Sequence, residues 1–229
     1  MSMSEDLEPV ALGRTEQKRR AILEAATSLF LRNGFRGTSM DEIASLAAVS
    51  KQTVYKQFAD KESLFREIIR GASANSDAVV AFIASAFGAE AATTRDELEA
   101  RLRGVARAYL DGVLQPRVLS LRRLVIAEAE QFPDLAVDYY RQGPSTGIGA
   151  VAGCLEPYVE SGLLVVDDLH AAATHFAYLS LSVALDRALF IPLQLPDPAE
   201  RERLAAAAVR TFLGAYGSAG GAEASAPRD

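Results

Sequence analysis

Residues 50–58, SKQTVYKQF, carry a dense set of side chains able to contact nucleic acid. Gln52 can pair with a base edge, and Thr53 can hydrogen-bond or touch a thymine methyl group. Taken alone, a short helix of this composition is more often a solvated face than a DNA-reading one, so the elements that position it decide between the two interpretations. The other candidates in the segment, suited to phosphate, are Lys51, Lys56 and Tyr55.

Two short helices are predicted on either side of the turn AVS. The first covers residues 39–47, where Ser39 and Glu42 can form a capping box. Ser50 caps the second, which runs to about residue 58. Two such helices joined by a tight turn are the pattern of a helix-turn-helix, whose second helix enters the major groove of DNA. The residues predicted to face inward are Met40, Ile43, Ala44, Ala47, Val54 and Phe58.

Helical periodicity extends over most of the remaining chain. A helix at residues 16–32 ends at Asn33-Gly34, and Asp60 caps another with a clear apolar side. Pro157 is expected to kink or split its helix. Because no strand-like alternation of useful length occurs, the fold class is all-α. Further helices are predicted at residues 75–87, 94–114, 117–131, 134–142, 145–161, 167–190 and 198–216.

The net charge of −6 hides a strong asymmetry along the chain. Residues 14–66 hold 10 Lys/Arg and 6 Asp/Glu, a net charge of +4, and the rest of the chain carries −10. A basic module joined to an acidic body suits a local contact with a polyanion, although chance asymmetry in a soluble protein is the alternative. The lone Cys154, the acidic N-terminus and the lack of a long apolar run predict a cytoplasmic protein without a membrane span.

Catalytic chemistry has few parts available in this sequence. The chain contains two His and one Cys, and it has no Gly-rich phosphate loop, so neither a metal site nor a nucleophilic triad is predicted. Glu128 and Asp186 are conceivable paired carboxylates, but nothing in the sequence places them together. We therefore expect a protein that is not an enzyme and needs no cofactor or metal.

The segment RRAILEAATSLFLRNGFRGTSMDEIASLAAVSKQTVYKQFADKESLF, residues 19–65, resembles the N-terminal domain of the TetR family of transcriptional regulators. The resemblance implies a three-helix DNA-binding domain at residues 14–71 and a larger helical domain at residues 72–216 that binds a small molecule and dimerises. Residues 1–13 and the Gly-, Ala- and Ser-rich residues 217–229 are predicted to be loose tails. The positions that carry it are Phe30, Gly34, Phe35, Thr38, Ser39, Ile43, Ala44, Val49, Ser50, Tyr55, Phe58, Lys61, Leu64 and Phe65.

The resemblance also implies roles for individual residues. Thr38 and Ser39 would contact phosphate, and Lys61 would add a second phosphate anchor at the start of the next helix. Arg14 and Lys18 are equally well explained as extra backbone contacts or as a solvated basic face. The residues implied on the recognition helix are Ser50, Lys51, Gln52, Thr53, Tyr55 and Lys56.

The turn of the motif departs from the family pattern at Ala48, where glycine is common. A left-handed backbone conformation costs alanine about 1 kcal/mol relative to glycine. The turn is therefore expected to adopt a slightly different geometry without breaking the motif.

The larger domain is less predictable from sequence. Residues 122–144, RRLVIAEAEQFPDLAVDYYRQGP, resemble the AefR-like C-terminal domains of the family. Aromatic and stripe-forming residues near this segment are candidates for a ligand pocket, with ordinary core packing as an alternative for each aromatic. The ligand-binding candidates are Tyr109, Val125, Glu128, Phe132, Tyr140 and Phe176, with Tyr139 as a further aromatic.

Two polar features of the larger domain have alternative interpretations. Glu128 lies on an apolar stripe, where it either recognises a ligand or pairs with an arginine on the same or a neighbouring helix, such as Arg122 or Arg123; the internal pair is favoured. A polar row on the helix at residues 167–190 either lines a pocket or lies at a subunit interface, and the interface is favoured. The row consists of His175, Tyr178, Ser182 and Asp186.

The function implied is a homodimeric regulator that reads a palindromic duplex and responds to a small molecule. Ligand binding would shift the helix that begins at Asp60 and joins the two domains, and so change the spacing of the recognition helices. The alternative is a helical enzyme or small-molecule-binding protein without operator binding. Repression is the favoured outcome, although activation would use the same surface and cannot be separated from it by sequence.

Overall fold

The computed structural model describes residues 13–73, 80–81, 83, 85, 92–192 and 194–218. The predicted all-α fold is confirmed. Most of the helix predicted at residues 75–87, and nearly all of both predicted tails, lie outside the described residues. The helices are α1 (Arg14–Asn33), α2 (Met40–Leu46), α3 (Lys51–Gln57), α4 (Lys61–Ser73), α5 (Arg95–Val113), α6 (Pro116–Ala127), α7 (Pro133–Tyr140), α8 (Thr146–Glu160), α9 (Leu169–Phe190) and α10 (Pro198–Tyr216).

The chain divides into two compact units, Met1–Ile69 and Arg70–Asp229. The division falls within α4, two residues before the domain boundary expected from sequence. The first unit therefore contains α1 to α3 and most of α4, and the second contains α5 to α10.

The first unit is built around three aromatic rings. Phe30 of α1 lies edge-on to Phe65 of α4, with ring centroids 5.2 Å apart and planes at 81°. Phe35 contacts both rings, at 5.9 Å and 5.0 Å. Edge-to-face and offset pairs of this kind add stabilisation beyond the area that they bury. The cluster joins the first and last helices of the unit, whereas α2 packs against α1 and α3 packs against α2.

The predicted caps of the short helices are present. The Ser39 hydroxyl accepts from the backbone N–H of Glu42, whose carboxylate accepts from the Ser39 N–H, which completes the capping box. Ser50 caps α3 through the Thr53 N–H. Asp60 accepts from the Ser63 N–H at 2.7 Å at the start of α4. Since helices of seven residues are marginal on their own, these caps and the packed faces hold α2 and α3 in place.

Ala48, in the turn between α2 and α3, keeps a left-handed backbone with φ of 52°. The expected change of turn geometry is therefore not observed. The turn is instead stabilised by hydrogen bonds around it, including Val49 N–H to the Ala44 carbonyl at 3.1 Å. The motif tolerates the alanine at a local energetic cost.

We expect Ala48→Gly to stabilise the first unit by about 1 kcal/mol, because glycine relieves the strain at positive φ. Urea unfolding monitored by circular dichroism measures the change. The exposed Ala59→Gly substitution outside the turn is the comparison and should bring no gain. An unchanged or lower free energy of unfolding for Ala48→Gly would contradict the strain assigned to this turn.

The second unit packs α9 against α8, α10 and α5, and α10 also packs along α5. Phe176 of α9 meets Phe212 of α10 edge-on, with centroids 5.1 Å apart. Tyr158 of α8 is also fully buried. Gly217 and Ser218, assigned to the tail from sequence, extend the fold, because the Ser218 N–H donates to the Leu163 carbonyl at 3.1 Å.

Three predicted helix features differ in the structure. Helix α6 ends at Ala127, four residues earlier than expected, because the chain turns at Glu128, its C-terminal cap. Pro157 does not split α8, which runs through it to Glu160. The expected break at Gly143-Pro144 is a π-helical turn, Arg141–Ser145, between α7 and α8. A proline removes one backbone donor, and a wide turn or a final helical turn accommodates that loss.

Helix α9 has an interruption at Ser182, whose φ of 43° and ψ of −144° are far from helical values. A non-glycine residue in such a sparsely populated region costs on the order of 1–3 kcal/mol. The helix continues on both sides, so the strain is confined to one residue.

Candidate nucleic-acid interface and ligand cavity

Helix α3 presents a polar face and buries an apolar one. Val54 is fully buried, and Phe58, the C-terminal cap of α3, is also buried, as predicted. The Arg19 guanidinium lies 4.7 Å from the centroid of the Phe58 ring. The apolar face fixes α3 on the unit, and the opposite face is open to solvent. The exposed residues of that face are Lys51, Gln52, Tyr55 and Lys56.

Three of the residues predicted to contact DNA from this segment, Ser50, Lys51 and Thr53, have partners within the chain. The Ser50 and Thr53 hydroxyls lie 2.8 Å apart, and Ser50 also accepts from the Thr53 N–H. Lys51 Nζ forms an exposed ion pair with Asp41 of α2, 2.6 Å from Oδ2. Since an exposed pair is worth little, a phosphate can compete with Asp41 for Lys51.

Thr38 does not present its side chain at the surface, contrary to its predicted phosphate contact. The residue is 2% exposed, and its hydroxyl donates to the Gly34 carbonyl at 2.9 Å. Ser39 is exposed, with its hydroxyl donating to Glu42 at 2.8 Å. Thr38 therefore shapes the loop before α2, and Ser39 is the accessible member of the pair.

Lys61 is engaged inside the first unit. Its ammonium donates to the Phe35 and Thr38 carbonyls, each at 2.8 Å, and lies 4.4 Å from the Phe35 ring centroid. Two of its three N–H groups are therefore used to tie the α1–α2 loop to the start of α4. A structural role was missed from sequence, and a substitution of Lys61 would disturb this loop as well as any phosphate contact.

Glu42 makes the capping box of α2 sensitive to acid. Hydrogen bonds from the side chain and backbone of Ser39 hold the pKa of Glu42 below its usual value of 4.5. A lowered folded-state pKa contributes stability that is complete above the unfolded-state value and is lost as the pH falls through the folded-state value.

We expect Glu42→Gln to show a smaller loss of stability than the unmodified chain between about pH 5 and pH 3, since glutamine has no charge to lose. The free energy of unfolding in urea at a series of pH values measures this. Glu16→Gln, an exposed residue in the first turn of α1, is the matched control. Parallel pH profiles for the unmodified chain and Glu42→Gln would rule out the assigned role.

The second unit contains a cavity of about 290 Å³ between α5, α6, α7, the π-turn, α8 and α9. Its walls are mostly apolar, and its polar groups are one arginine and four tyrosines. Tyr109 enters the cavity beside Gly147, where an added Cβ would lie 3.3 Å from Cε2 of the ring. The lining residues are Tyr109, Arg122, Val125, Ile126, Ala129, Ala136, Tyr139, Tyr140, Pro144, Ile148, Tyr178, Leu181, Leu185 and Leu189.

Half of the six ligand-binding candidates line this cavity: Tyr109, Val125 and Tyr140. Phe176 does not, because it packs in the core against Phe212. Phe132 is buried at the N-cap of α7, outside the lining. The further aromatic candidate, Tyr139, does line the cavity.

Glu128 is at the C-terminal cap of α6 and is absent from the cavity walls. In the described part of the chain it forms no ion pair with Arg122 or Arg123, so the favoured internal pair is wrong. Arg123 instead donates to the Ala188 carbonyl and the Ser120 hydroxyl, both at 3.0 Å. Because α6 ends before Glu128, the stripe on which that residue was placed does not continue.

Arg122 and Tyr178 belong to the cavity but were assigned otherwise or left open. Arg122 was considered only as a partner for Glu128, although it precedes Val125 and Ile126 by three and four residues on α6. That spacing places a cation on an apolar helix face, which was the available signal. Of the polar row, Tyr178 lines the cavity. His175 instead forms a hydrogen bond with Tyr216, with 2.6 Å between Nδ1 and Oη.

Three of the tyrosines that line the cavity have a raised pKa. Burial raises the pKa of Tyr109 to about 12, against a smaller opposing effect of Arg122. Burial also raises the pKa of Tyr139, which is hydrogen-bonded to Arg122, and of Tyr178, which contacts Tyr140. The tyrosines therefore offer O–H donors around a single guanidinium at neutral pH.

The two units match two family models in the order of the chain. Residues 22–68 match the model described as bacterial regulatory proteins, tetR family. Residues 100–218 match the C-terminal domain of AefR-like transcriptional repressors, which is more than half of the chain. The chain belongs to the TetR family of transcriptional regulators. Both resemblances inferred from sequence are thereby confirmed.

Similarity to solved structures extends over nearly the whole length of the chain. A transcriptional regulator from Mesorhizobium loti is 34% identical, covers 90% of this chain and 100% of its own, and superposes with a TM-score of 0.78. The flavonoid-responsive regulator FrrA is 30% identical over 89% of this chain and 99% of its own, with a TM-score of 0.68.

Curated relatives match short stretches of the chain. The uncharacterized HTH-type regulator YhgD of Bacillus subtilis is 49% identical over 51 residues. That match covers 22% of this chain and 27% of YhgD, so the chain spans about a quarter of that relative's length.

Within the described part of the chain, none of the helices is long and apolar enough to cross a membrane. Across the same residues, no group of three or more His, Cys, Asp and Glu side chains has an arrangement that could hold a metal ion.

Proposed function

We propose that this TetR-family protein is a homodimeric repressor that binds a palindromic operator and is released from it by a small molecule. The observation that carries the proposal is the exposed polar face of α3, formed by Lys51, Gln52, Tyr55 and Lys56 on a helix anchored by buried Val54. A short helix fixed through one face and polar on the other suits insertion into a major groove.

Within the groove, Gln52 reads a base edge, and its bidentate amide suits adenine. Thr53, the next residue on α3, hydrogen-bonds a base or touches a thymine methyl group. Lys51, Lys56 and Tyr55 contact phosphates and so set affinity and register. Ser39 contributes a further backbone contact from the start of α2. Two subunits place their α3 helices in successive major grooves, about 34–36 Å apart, which makes the operator palindromic.

Dimerisation is supported by apolar side chains on the outer face of α9. Phe190 is 85% exposed and Val183 is 60% exposed. The opposite face of the same helix is packed in the core of the unit. Large exposed apolar residues grouped on one surface indicate a contact with another molecule. A second copy of the chain satisfies the symmetry that a palindromic operator needs.

The response to a small molecule is proposed from the cavity of the second unit. Its volume of about 290 Å³ is near the lower end of small-molecule sites. The related regulator FrrA is described as flavonoid-responsive, which supports an organic effector for this chain too. Helix α4 crosses the division between the units, so it is the covalent path by which effector binding would disfavour the DNA-bound state.

Selection of bound duplexes from a random library tests the proposal, and the expected product is a palindrome. Gln52→Ala should relax sequence preference at one position of each half-site, with a cost of about 1–3 kcal/mol for the preferred base. Lys56→Ala should weaken binding to all duplexes by a similar factor. Quantitative competition between the selected palindrome and single-base variants distinguishes the two effects.

Failure to enrich any duplex would favour the second candidate, a helical small-molecule-binding protein or enzyme without operator binding. Identical behaviour of the Gln52 and Lys56 variants would contradict their assigned roles. A reporter placed behind the selected palindrome in the bacterial cytoplasm, the proposed location, separates repression from activation, since only repression lowers expression.

A further inference from the structure

The cavity of the second unit contains one charged side chain, Arg122. None of its described lining residues is a carboxylate, a lysine or a histidine. Arg122 is half-buried and, within the described chain, has no carboxylate within ion-pair distance. Arginines elsewhere in the same unit do have one, for example Arg187 with Glu200 at 2.8 Å and Arg201 with Asp111 at 2.5 Å. The cavity thus holds a positive charge whose counter-charge is left to solvent or to a ligand.

The guanidinium retains capacity for such a ligand. Among the described residues, its hydrogen-bond partner is the Tyr139 hydroxyl, and an arginine carries five N–H donors in a planar fork. That fork matches the two oxygens of a carboxylate. A carboxylate bound here would satisfy donors that the protein leaves open.

The surrounding hydroxyls favour the same kind of group. Tyr109 lines the cavity, and its hydroxyl is protonated at neutral pH, as an ordinary tyrosine is, so its O–H can donate; burial raises its pKa further, to about 12. Tyr140 and Tyr178 lie on the same walls. Tyrosine hydroxyls can also accept hydrogen bonds, but a site with a cation and several O–H donors stabilises an anion better than a neutral amide.

The rest of the wall sets the size and character of the ligand. Val125, Ile148 and Pro144 of the π-helical turn contribute apolar surface. The α9 residues that do the same are Leu181, Leu185 and Leu189. A volume of about 290 Å³ corresponds to about ten water molecules at their share of liquid volume. A compact apolar body fits this space, and a second charged group would lie unpaired against hydrocarbon.

We propose that the effector of this protein is a compact organic carboxylate, with its carboxylate on Arg122 and its apolar body against Val125 and the α9 leucines. The inference rests on the proposed function for the effect of binding on DNA, but the binding itself is independent of it. A neutral phenol or amide is the competing ligand class.

Calorimetry on the full-length chain tests the proposal with matched pairs of acids and primary amides. The probes are benzoate, 3-phenylpropanoate and naphthalene-2-carboxylate, each compared with its amide. At least one carboxylate should bind ten times or more tightly than its own amide. Arg122→Gln should reduce that preference to less than twofold, and Arg122→Lys should retain part of it because the charge remains.

Arg203→Gln, at an exposed position of α10 outside the cavity, is the matched control and should bind as the unmodified chain does. Thermal unfolding identifies any variant that fails to fold, in which case the comparison of Arg122→Lys with the unmodified chain carries the result. The proposal is overturned if each amide equals or exceeds its acid, or if Arg122→Gln keeps the preference for acids.

The same samples separate this inference from the proposed function. Carboxylate binding without a selected palindrome would contradict the proposed operator binding and support the proposed ligand class. If every amide releases the protein from the selected palindrome as well as its acid does, the proposed ligand class is contradicted and the proposed operator binding is supported.

Discussion

The affinity of this TetR-family protein for its selected duplex should fall steeply with salt, and Lys56→Gln should flatten the dependence. Each phosphate contact removed lowers the slope of log K against log salt concentration by about 0.9, because fewer counterions are released. A dimer loses two such contacts in the Lys56 variant, so the slope should decrease by about 1.8. Fluorescence anisotropy with the selected palindrome, between about 50 and 200 mM salt, measures the slopes.

Two comparison variants sharpen this prediction. Lys51→Gln should reduce the slope by less than Lys56→Gln, because the Lys51 ammonium already pairs with Asp41. Gln52→Ala should lower affinity for the palindrome while leaving the slope unchanged, since an amide neutralises no phosphate. A slope that is the same in all four proteins would show that these lysines do not contact the DNA backbone.

Phe30→Ala should destabilise the first unit by about 3–5 kcal/mol, which is the range for truncating a buried aromatic side chain. Phe30 is fully buried and contacts the rings of both Phe35 and Phe65, so the substitution opens a cavity between α1 and α4. Urea unfolding of the full-length chain, with hydrogen exchange to resolve the two units, measures the loss.

The matched control for this substitution is Leu46→Ala on α2. Leu46 is 53% exposed, and its truncation should change the free energy of unfolding by less than about 0.5 kcal/mol. Amide protection of α8 and α10 should be unchanged in the Phe30 variant, because those helices belong to the other unit. A loss of protection in both units at once would show that the chain unfolds as one cooperative body.

The first unit was predictable from sequence because its signals are local. Ser39 and Glu42 are three residues apart, as are Ser50 and Thr53, so each cap could be read without knowing the fold. The roles of Thr38 and Lys61 were not readable in this way. Their hydrogen bonds, to Gly34 for Thr38 and across 23 and 26 residues for Lys61, depend on how the α1–α2 loop folds back.

The cavity was predictable only in part, since it is assembled from distant segments. Tyr109 comes from α5, Arg122 from α6 and Tyr178 from α9, and no spacing in the sequence relates them. Whether an aromatic residue lines a cavity or packs in a core depends on which helix it faces. Phe176 faces α10 and meets Phe212, whereas Tyr178, two residues later, is on another side of the same helix.

The interruption at Ser182 divides α9 into two rigid segments that meet at the cavity wall. Tyr178 and Leu181 precede the strained residue, and Leu185 and Leu189 follow it. A molecule that fills the cavity would contact α9 on both sides of its strained residue. A carboxylate too short to reach past Ser182 would occupy the cavity without linking the two segments, so binding and response would be separable properties of the proposed effector.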